Sequence, residues 1–292
     1  MMRTIQSLID EKRASNKARR AIALEENVMD VYGRFPELAE IDRKIVEARR
    51  DRLVARFEEK DVTFDFLEKE GKELSERREK FIRDNGIDPD FDQERPVCGK
   101  CLDTGFVKTA AGPKVCSCMK NELSECYELC GLGNFDTYTE KGLSMDHFGD
   151  TKGRSAQREK LLKLVMHMPP MNEKGVWIFS APPQSGKTYL TVCIVKAAIR
   201  LGKSAAYVKA DRLDELSPED IGFIRQCEFL AIDDYSAEVT AGARRTNILN
   251  DILELRISNK AATVIVTPFA REETISGSDL RIAAKLSGAG DI

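Results

Sequence analysis

The chain has 292 residues, 42% of them hydrophobic, and its 46 basic and 49 acidic side chains leave a net charge of -3. That is enough apolar material for a sizeable core and for two folded parts. The near balance of charge excludes a global basic field that binds nucleic acid without selectivity, so any DNA contact has to be local. The first residues, MMRTIQSLIDEKRASNK, lack the apolar run of a secretory signal, and VWIF, FLAI and TVIV are too short to span a bilayer. No membrane association is expected, and the expected compartment is cytoplasmic. In that setting eight cysteines read as thiols or metal ligands rather than disulfides.

Residues 1–96 are almost half charged, with sparse apolar positions at helical spacing. Leu38, Ile41 and Ile45 make one stripe, and Leu67, Leu74 and Phe81 fall seven apart. Both patterns predict amphipathic helices. The run from Gly33 to Pro36 separates the first helix from the second, and DNGIDPD, residues 84–90, ends the series. So thin an apolar stripe implies a helical hairpin or packing on a partner, with a solvated bundle as the plainer alternative.

Residues 97–130 form the next segment. Cys98 and Cys101 make a C-x-x-C knuckle, and Cys116 and Cys118 make a C-x-C after a loop containing Gly105, Gly112 and Pro113. Each short pair supplies two adjacent thiolates at little cost in chain entropy, and the loop lets the chain reverse, so four thiolates can meet at one tetrahedral zinc ion (Zn2+). With four ligands the site reads as closed and structural. A redox dithiol at Cys98 and Cys101 is the rival, without the strand and helix that usually frame one. Cys126, Cys130, Cys193 and Cys227 read as core thiols.

Residues 131–292 alternate strands and helices. GVWIFS is a short buried strand, and Leu190, Ile194, Ala197 and Leu201 repeat at helical spacing until Gly202 stops the helix. SAAYVK and FLAIDD read as further strands, TNILNDILELRI as a helix and TVIVT as a fourth strand. The predicted fold is α/β, a parallel sheet with helices on both faces and its ligand at the carboxyl ends of the strands.

Between the first of these strands and its helix runs APPQSGKT, a phosphate loop whose leading glycine is replaced by Ala181. Backbone N–H groups at a helix N-terminus, a lysine ammonium and a magnesium-ligating hydroxyl perform the chemistry of such loops, and Gly186, Lys187 and Thr188 supply them. The extra methyl of Ala181 is tolerated if its φ is negative. Pro182 and Pro183 stiffen the loop and remove two donors. Gln184, Ser185, Gly186, Lys187, Thr188 and Tyr189 are therefore the expected nucleotide contacts. Asp233 and Asp234 follow about 45 residues later at the end of an apolar strand, where a Walker B motif holds Mg2+ and polarises water. Asp233 is the expected metal-holding residue, and Asp234 stands where such ATPases usually carry a glutamate base.

These residues resemble a family, the bacterial replicative-helicase loaders of the DnaC/DnaI type, which are AAA+ ATPases; the IstB transposition ATPases are next most similar. The resemblance rests on the charged helical N-terminus, CGKCLDTGF with its later CSC, FDTYTE, the phosphate loop, LAIDD, NILNDILELRISNKAATVIVT and LRIAAKLSGAGDI. It implies an N-terminal domain that binds a hexameric replicative DNA helicase, and an AAA+ P-loop domain that binds ATP and single-stranded DNA and self-assembles. It also implies that Thr267 lies at the sensor 1 strand end and that Arg281 is an arginine finger; a cap or ion pair within its own helix is the alternative for Arg281. The chain departs from the family in Thr267-Pro268 for Thr-Asn, in DDYS for Asp-Asp-Leu-Gly, in Lys285 for an arginine, and in ending just after LSGAGDI, which leaves little or no room for the family's last strand and its sensor 2 arginine. These departures bear on hydrolysis more than on binding, so the expected enzyme is a weak ATPase that loads a helicase during replication initiation. An IstB-like partner of a transposase and a helicase-binding adaptor without turnover are the competing readings. Arg244 and Arg245 are candidate contacts for single-stranded DNA, and His147 and His167 have no assigned role.

Overall fold

In the computed structural model the described residues are 1–57, 61–110, 112–139, 175–236, 238 and 242–291. His147, His167 and the last residue of FDTYTE lie outside them. The chain divides into two compact units, Arg13–Asp103, and Met1–Lys12 with Thr104–Ile292.

In the first unit the charged, sparsely apolar sequence makes long helices: α1 (Ile5–Arg34), which begins in the other unit, α2 (Pro36–Phe57) and α3 (Asp61–Asp84). Pro36 opens α2 because its fixed φ and missing N–H suit a first helical position, and the stripe of Leu38, Ile41 and Ile45 is buried. Helices α2 and α3 pack together, with Arg78 donating to Asp42 at 2.6 Å and Arg77 to Glu37 at 2.7 Å. The core is small, built from Val31, Leu38, Ile82 and Phe91.

In the second unit β1 (Phe106–Thr109) and β2 (Gly112–Val115) form an antiparallel hairpin, which the spacing of the glycines had indicated only as a loop. A short turn at Ser117–Met119, helix α4 (Lys120–Tyr127) and a wide turn over Glu128–Leu132 follow. Gly131 has φ +86°, and a Cβ there would lie 2.1 Å from the Tyr207 carbonyl oxygen, so both the conformation and the close approach require glycine.

The sheet contains β3 (Val176–Ser180), β4 (Ala205–Lys209), β5 (Phe229–Asp233), β6 (Ala262–Thr267) and β7 (Gly290–Asp291), in the spatial order β4-β5-β6-β3-β7 and parallel throughout. The short β7, which lies within LSGAGDI, pairs with Trp177 and Ile178 of β3. Alternation along the strands sorts side chains to two faces. Tyr207, Ala231, Val264 and Val266 pack with α5 (Lys187–Arg200), whereas Val208, Ile232 and Ile265 face α6 (Pro218–Gln226), α7 (Ala243–Ser258) and α9 (Leu280–Leu286). A short helix α8 (Arg271–Gly277) precedes α9. The α/β fold with helices on both faces is therefore present. Helix α5 differs from the single stripe read in its sequence, since every residue from Leu190 to Ile199 is buried. The sheet covers one side of it, and Ile5, Leu8, Ile9, Cys126, Cys130 and Leu132 join its core cluster.

Candidate nucleotide site and cysteine cluster

The strand order decides which chain ends meet. Because β6 lies between β3 and β5, the carboxyl edge of the sheet presents in succession the phosphate loop after β3, Thr267 and Pro268 after β6, Asp233 and Asp234 after β5, and Lys209 ending β4. The register supports this alignment, with Ser180 beside Thr267 and Lys209 beside Asp233. The Ala181 N–H donates to the Thr267 carbonyl at 3.3 Å and continues the ladder by one residue. Ala181 does not have a positive φ, so the condition for tolerating its methyl is met. Gln184 (φ +63°) and Gly186 (φ +83°) make the left-handed turns of the loop, and Gly186 caps the N-terminus of α5.

A cavity of 640 Å³ is lined by Tyr138, by Pro183 through Tyr189, by Asp234 and by Pro268. It brings together Gln184, Ser185, Gly186, Lys187, Thr188, Tyr189 and Asp234 of the expected residues. The Ser185 hydroxyl is buried with no partner, and the Lys187 ammonium donates to the Pro182 carbonyl at 2.8 Å. Burial lowers the Lys187 pKa against the opposing pull of Asp233 and Asp234. A buried orphan hydroxyl, an ammonium and the first N–H groups of a helix are a donor set that fits phosphate.

Asp233 lies behind the cavity wall, fully buried. Its carboxylate accepts the Tyr207 hydroxyl at 2.7 Å and the Asp234 N–H at 2.9 Å. Burial, followed by the charge of Asp233, pushes the Tyr207 pKa up, which keeps that hydroxyl a donor. Asp234 sits at φ +55° and pairs with Lys209 at 3.0 Å, a bond that raises the lysine pKa. Thr267 is also buried; its hydroxyl accepts the Phe269 N–H at 3.3 Å and lies 3.4 Å from the Thr274 hydroxyl. Arg281 is not among the residues lining the cavity. Its guanidinium donates to Asp279 and Asn247, both at 3.2 Å. Lys285 donates to Asn250 at 2.7 Å, and Arg245 to Asp214 at 2.8 Å.

Cys98, Cys101, Cys116 and Cys118 place their Sγ atoms within 4.8 Å of one another. Four sulfurs on a tetrahedral zinc stand about 3.8 Å apart, so the cluster fits such an ion after a small contraction. The turn after Cys98 is held by Asp103, whose carboxylate accepts the N–H groups of Val97 (3.0 Å) and Cys98 (2.9 Å) and the Arg20 guanidinium (2.6 Å). Cys126 and Cys130 are buried with sulfurs 3.9 Å apart, and Cys193 and Cys227 are buried too.

No protein-family model matches the sequence, and no curated protein matches it. Solved structures that are similar to part of the chain do exist. The chain is similar to DnaA, DnaI and DnaC. For AMPPCP-bound DnaA from Aquifex aeolicus the TM-score is 0.43 at 14% identity, over 54% of this chain and 50% of that one. For DnaI it is 0.40 at 20% identity, over 53% of this chain and 86% of that one. For the DnaC helicase loader it is 0.39 at 16% identity, over 52% and 95%. This chain thus matches only half the length of the DnaA structure. Among the described residues, no helix is long and apolar enough to cross a membrane.

Three residues of the site had no role assigned from the sequence: Tyr207 and Lys209, read only as part of the strand SAAYVK, and Tyr138, read only as part of FDTYTE. Each reaches the site from a segment distant in sequence, so no motif spacing points to it.

Proposed function

We propose that this chain is an ATP-dependent adaptor that binds a hexameric replicative DNA helicase and assists its loading onto single-stranded DNA. The observation that carries the nucleotide part is the convergence of Ser185, Gly186, Lys187, Thr188 and Asp234 on one cavity, with Asp233 fixed behind it. In this reading the Lys187 ammonium and the N–H groups at the start of α5 hold the phosphates. Thr188 and Asp233 would hold Mg2+, which would supply positive charge against the negative phosphate oxygens. Asp234 accepts a proton from the attacking water, Thr267 ends the strand that positions the site, and Arg281 reaches a neighbouring copy on self-assembly. Residues 1–96 form the helicase-binding domain, 97–130 a segment held by zinc on Cys98, Cys101, Cys116 and Cys118, and 131–292 the ATPase. The helicase assignment rests on the sequence resemblance, in which a four-cysteine segment accompanies a phosphate loop.

A nucleotide-bound adaptor without turnover is a second reading, favoured by the Lys209–Asp234 ion pair, which occupies the carboxylate that would take the proton. One set of titrations tests both. A fluorescent ATP analogue with magnesium should bind saturably to the wild type and not to Lys187→Ala, and the cognate helicase should be retained by the immobilised wild-type chain. Absence of both would end the proposal. If Lys209→Ala raises ATP turnover about tenfold, the ion pair restrains an ATPase; if turnover stays at background, the adaptor reading holds.

A further inference from the structure

The motif FDTYTE has no part in the chemistry above, yet its described residues end at the nucleotide cavity. Tyr138 lines that cavity beside the phosphate loop. Its ring stacks on Tyr189, with centroids 4.4 Å apart and planes at 18°, and the Phe135 ring lies 5.1 Å away. Tyr189, in the first turn of α5, uses its hydroxyl on the backbone of the next residue. It accepts the Thr139 N–H at 2.9 Å and donates to the Thr139 carbonyl at 2.7 Å. Two turns along the same helix, Lys196 is only 4% exposed, and its ammonium donates to the carbonyls of Phe135 and, at 3.1 Å, of Tyr138. A buried ammonium bonded to carbonyls rather than to a carboxylate is costly unless the geometry is kept, so this contact fixes the segment tightly. The helix whose N-terminus faces the phosphates thus also fastens Phe135–Thr139 at two points.

We propose that Tyr138 forms the base-side wall of the nucleotide pocket, and that Tyr189 and Lys196 are positioning residues that hold it there. The inference rests on the nucleotide-binding reading above. A triphosphate by itself is satisfied by N–H groups and Lys187 and has no use for aromatic carbon. A nucleoside adds a flat apolar base, and among the described residues Tyr138 and Tyr189 are the aromatic side chains lining the cavity. Tyr189 therefore acts through its neighbour, with its hydroxyl engaged by Thr139 rather than offered to the ligand.

The test is competition by ATP and by inorganic tripolyphosphate against a fluorescent ATP analogue on the full chain with magnesium. Tyr138→Ala should weaken ATP about tenfold while leaving tripolyphosphate within about twofold. Tyr138→Phe should restore the ATP affinity. Tyr189→Phe, which keeps the ring and loses both bonds to Thr139, should weaken ATP severalfold, again without affecting tripolyphosphate. Parallel loss of both ligands in Tyr138→Ala, or no loss of ATP, overturns the inference and leaves the phosphate site standing. A wild type that binds neither ligand overturns the nucleotide reading itself.

Discussion

Asp233 shows what a single residue owes to its surroundings. Its place at the end of an apolar run is legible in FLAIDD, but the hydroxyl that satisfies it comes from Tyr207, 26 residues away on the neighbouring strand. Tyr207→Phe would leave a fully buried carboxylate one donor short, at a cost of about 1–3 kcal/mol. Urea unfolding should show that loss, and a cycle with Asp233→Asn should show strong coupling between the two positions. Additive effects would mean that the hydrogen bond does not hold the carboxylate. That Ser185, Lys187 and Thr188 line one cavity was readable in advance, because a phosphate-loop pattern is one continuous stretch of backbone. Tyr189 belongs to the same stretch, but its sequence gave no sign that its hydroxyl is engaged by Thr139.

Among the elements, α5 exposes the limit of periodicity. Leu190, Ile194, Ala197 and Leu201 spell a single stripe, whereas every residue from Leu190 to Ile199 is buried, in a core cluster that also takes in residues of α4 and of the first turns of α1. Hydrophobic spacing reports one packing surface; a second one is supplied by segments far away in sequence. The loop between α5 and β4 is tied to the start of β5 by Glu228, which accepts Lys203 at 2.6 Å and the Ser204 N–H at 3.0 Å. Burial raises the Glu228 pKa, but Lys203 and Ser204 bring it below the ordinary value of 4.5. A carboxylate with a depressed folded pKa stabilises the native state above its unfolded pKa, and that contribution is lost as pH falls through the folded pKa. Glu228→Gln should therefore cost at most about 1 kcal/mol at pH 7, given the solvent exposure of the pair. In thermal scans the difference from the wild type should shrink as pH drops below 4.5. A difference independent of pH would show that the side chain acts by packing alone.

For the molecule as a whole, the cysteine segment carries the clearest consequence. The protein should contain one zinc ion per chain, and Cys98→Ser should release it. Removing the metal with a chelator should lower the thermal midpoint by about 5 °C or more. Full metal content in Cys98→Ser would show that the four sulfurs do not form one site. The sequence by itself determined the elements and their order: helical stripes, the C-x-x-C and C-x-C pairs, the phosphate loop and the acidic strand end. All of these depend on spacings of a few residues along one backbone. Tertiary structure alone decided the strand order, the two-residue β7, the pairing of Asp234 with Lys209 and the arrival of Tyr138 beside the phosphate loop. These follow from register and packing between segments tens of residues apart, where many pairings share the same local pattern and the burial of the whole core selects one.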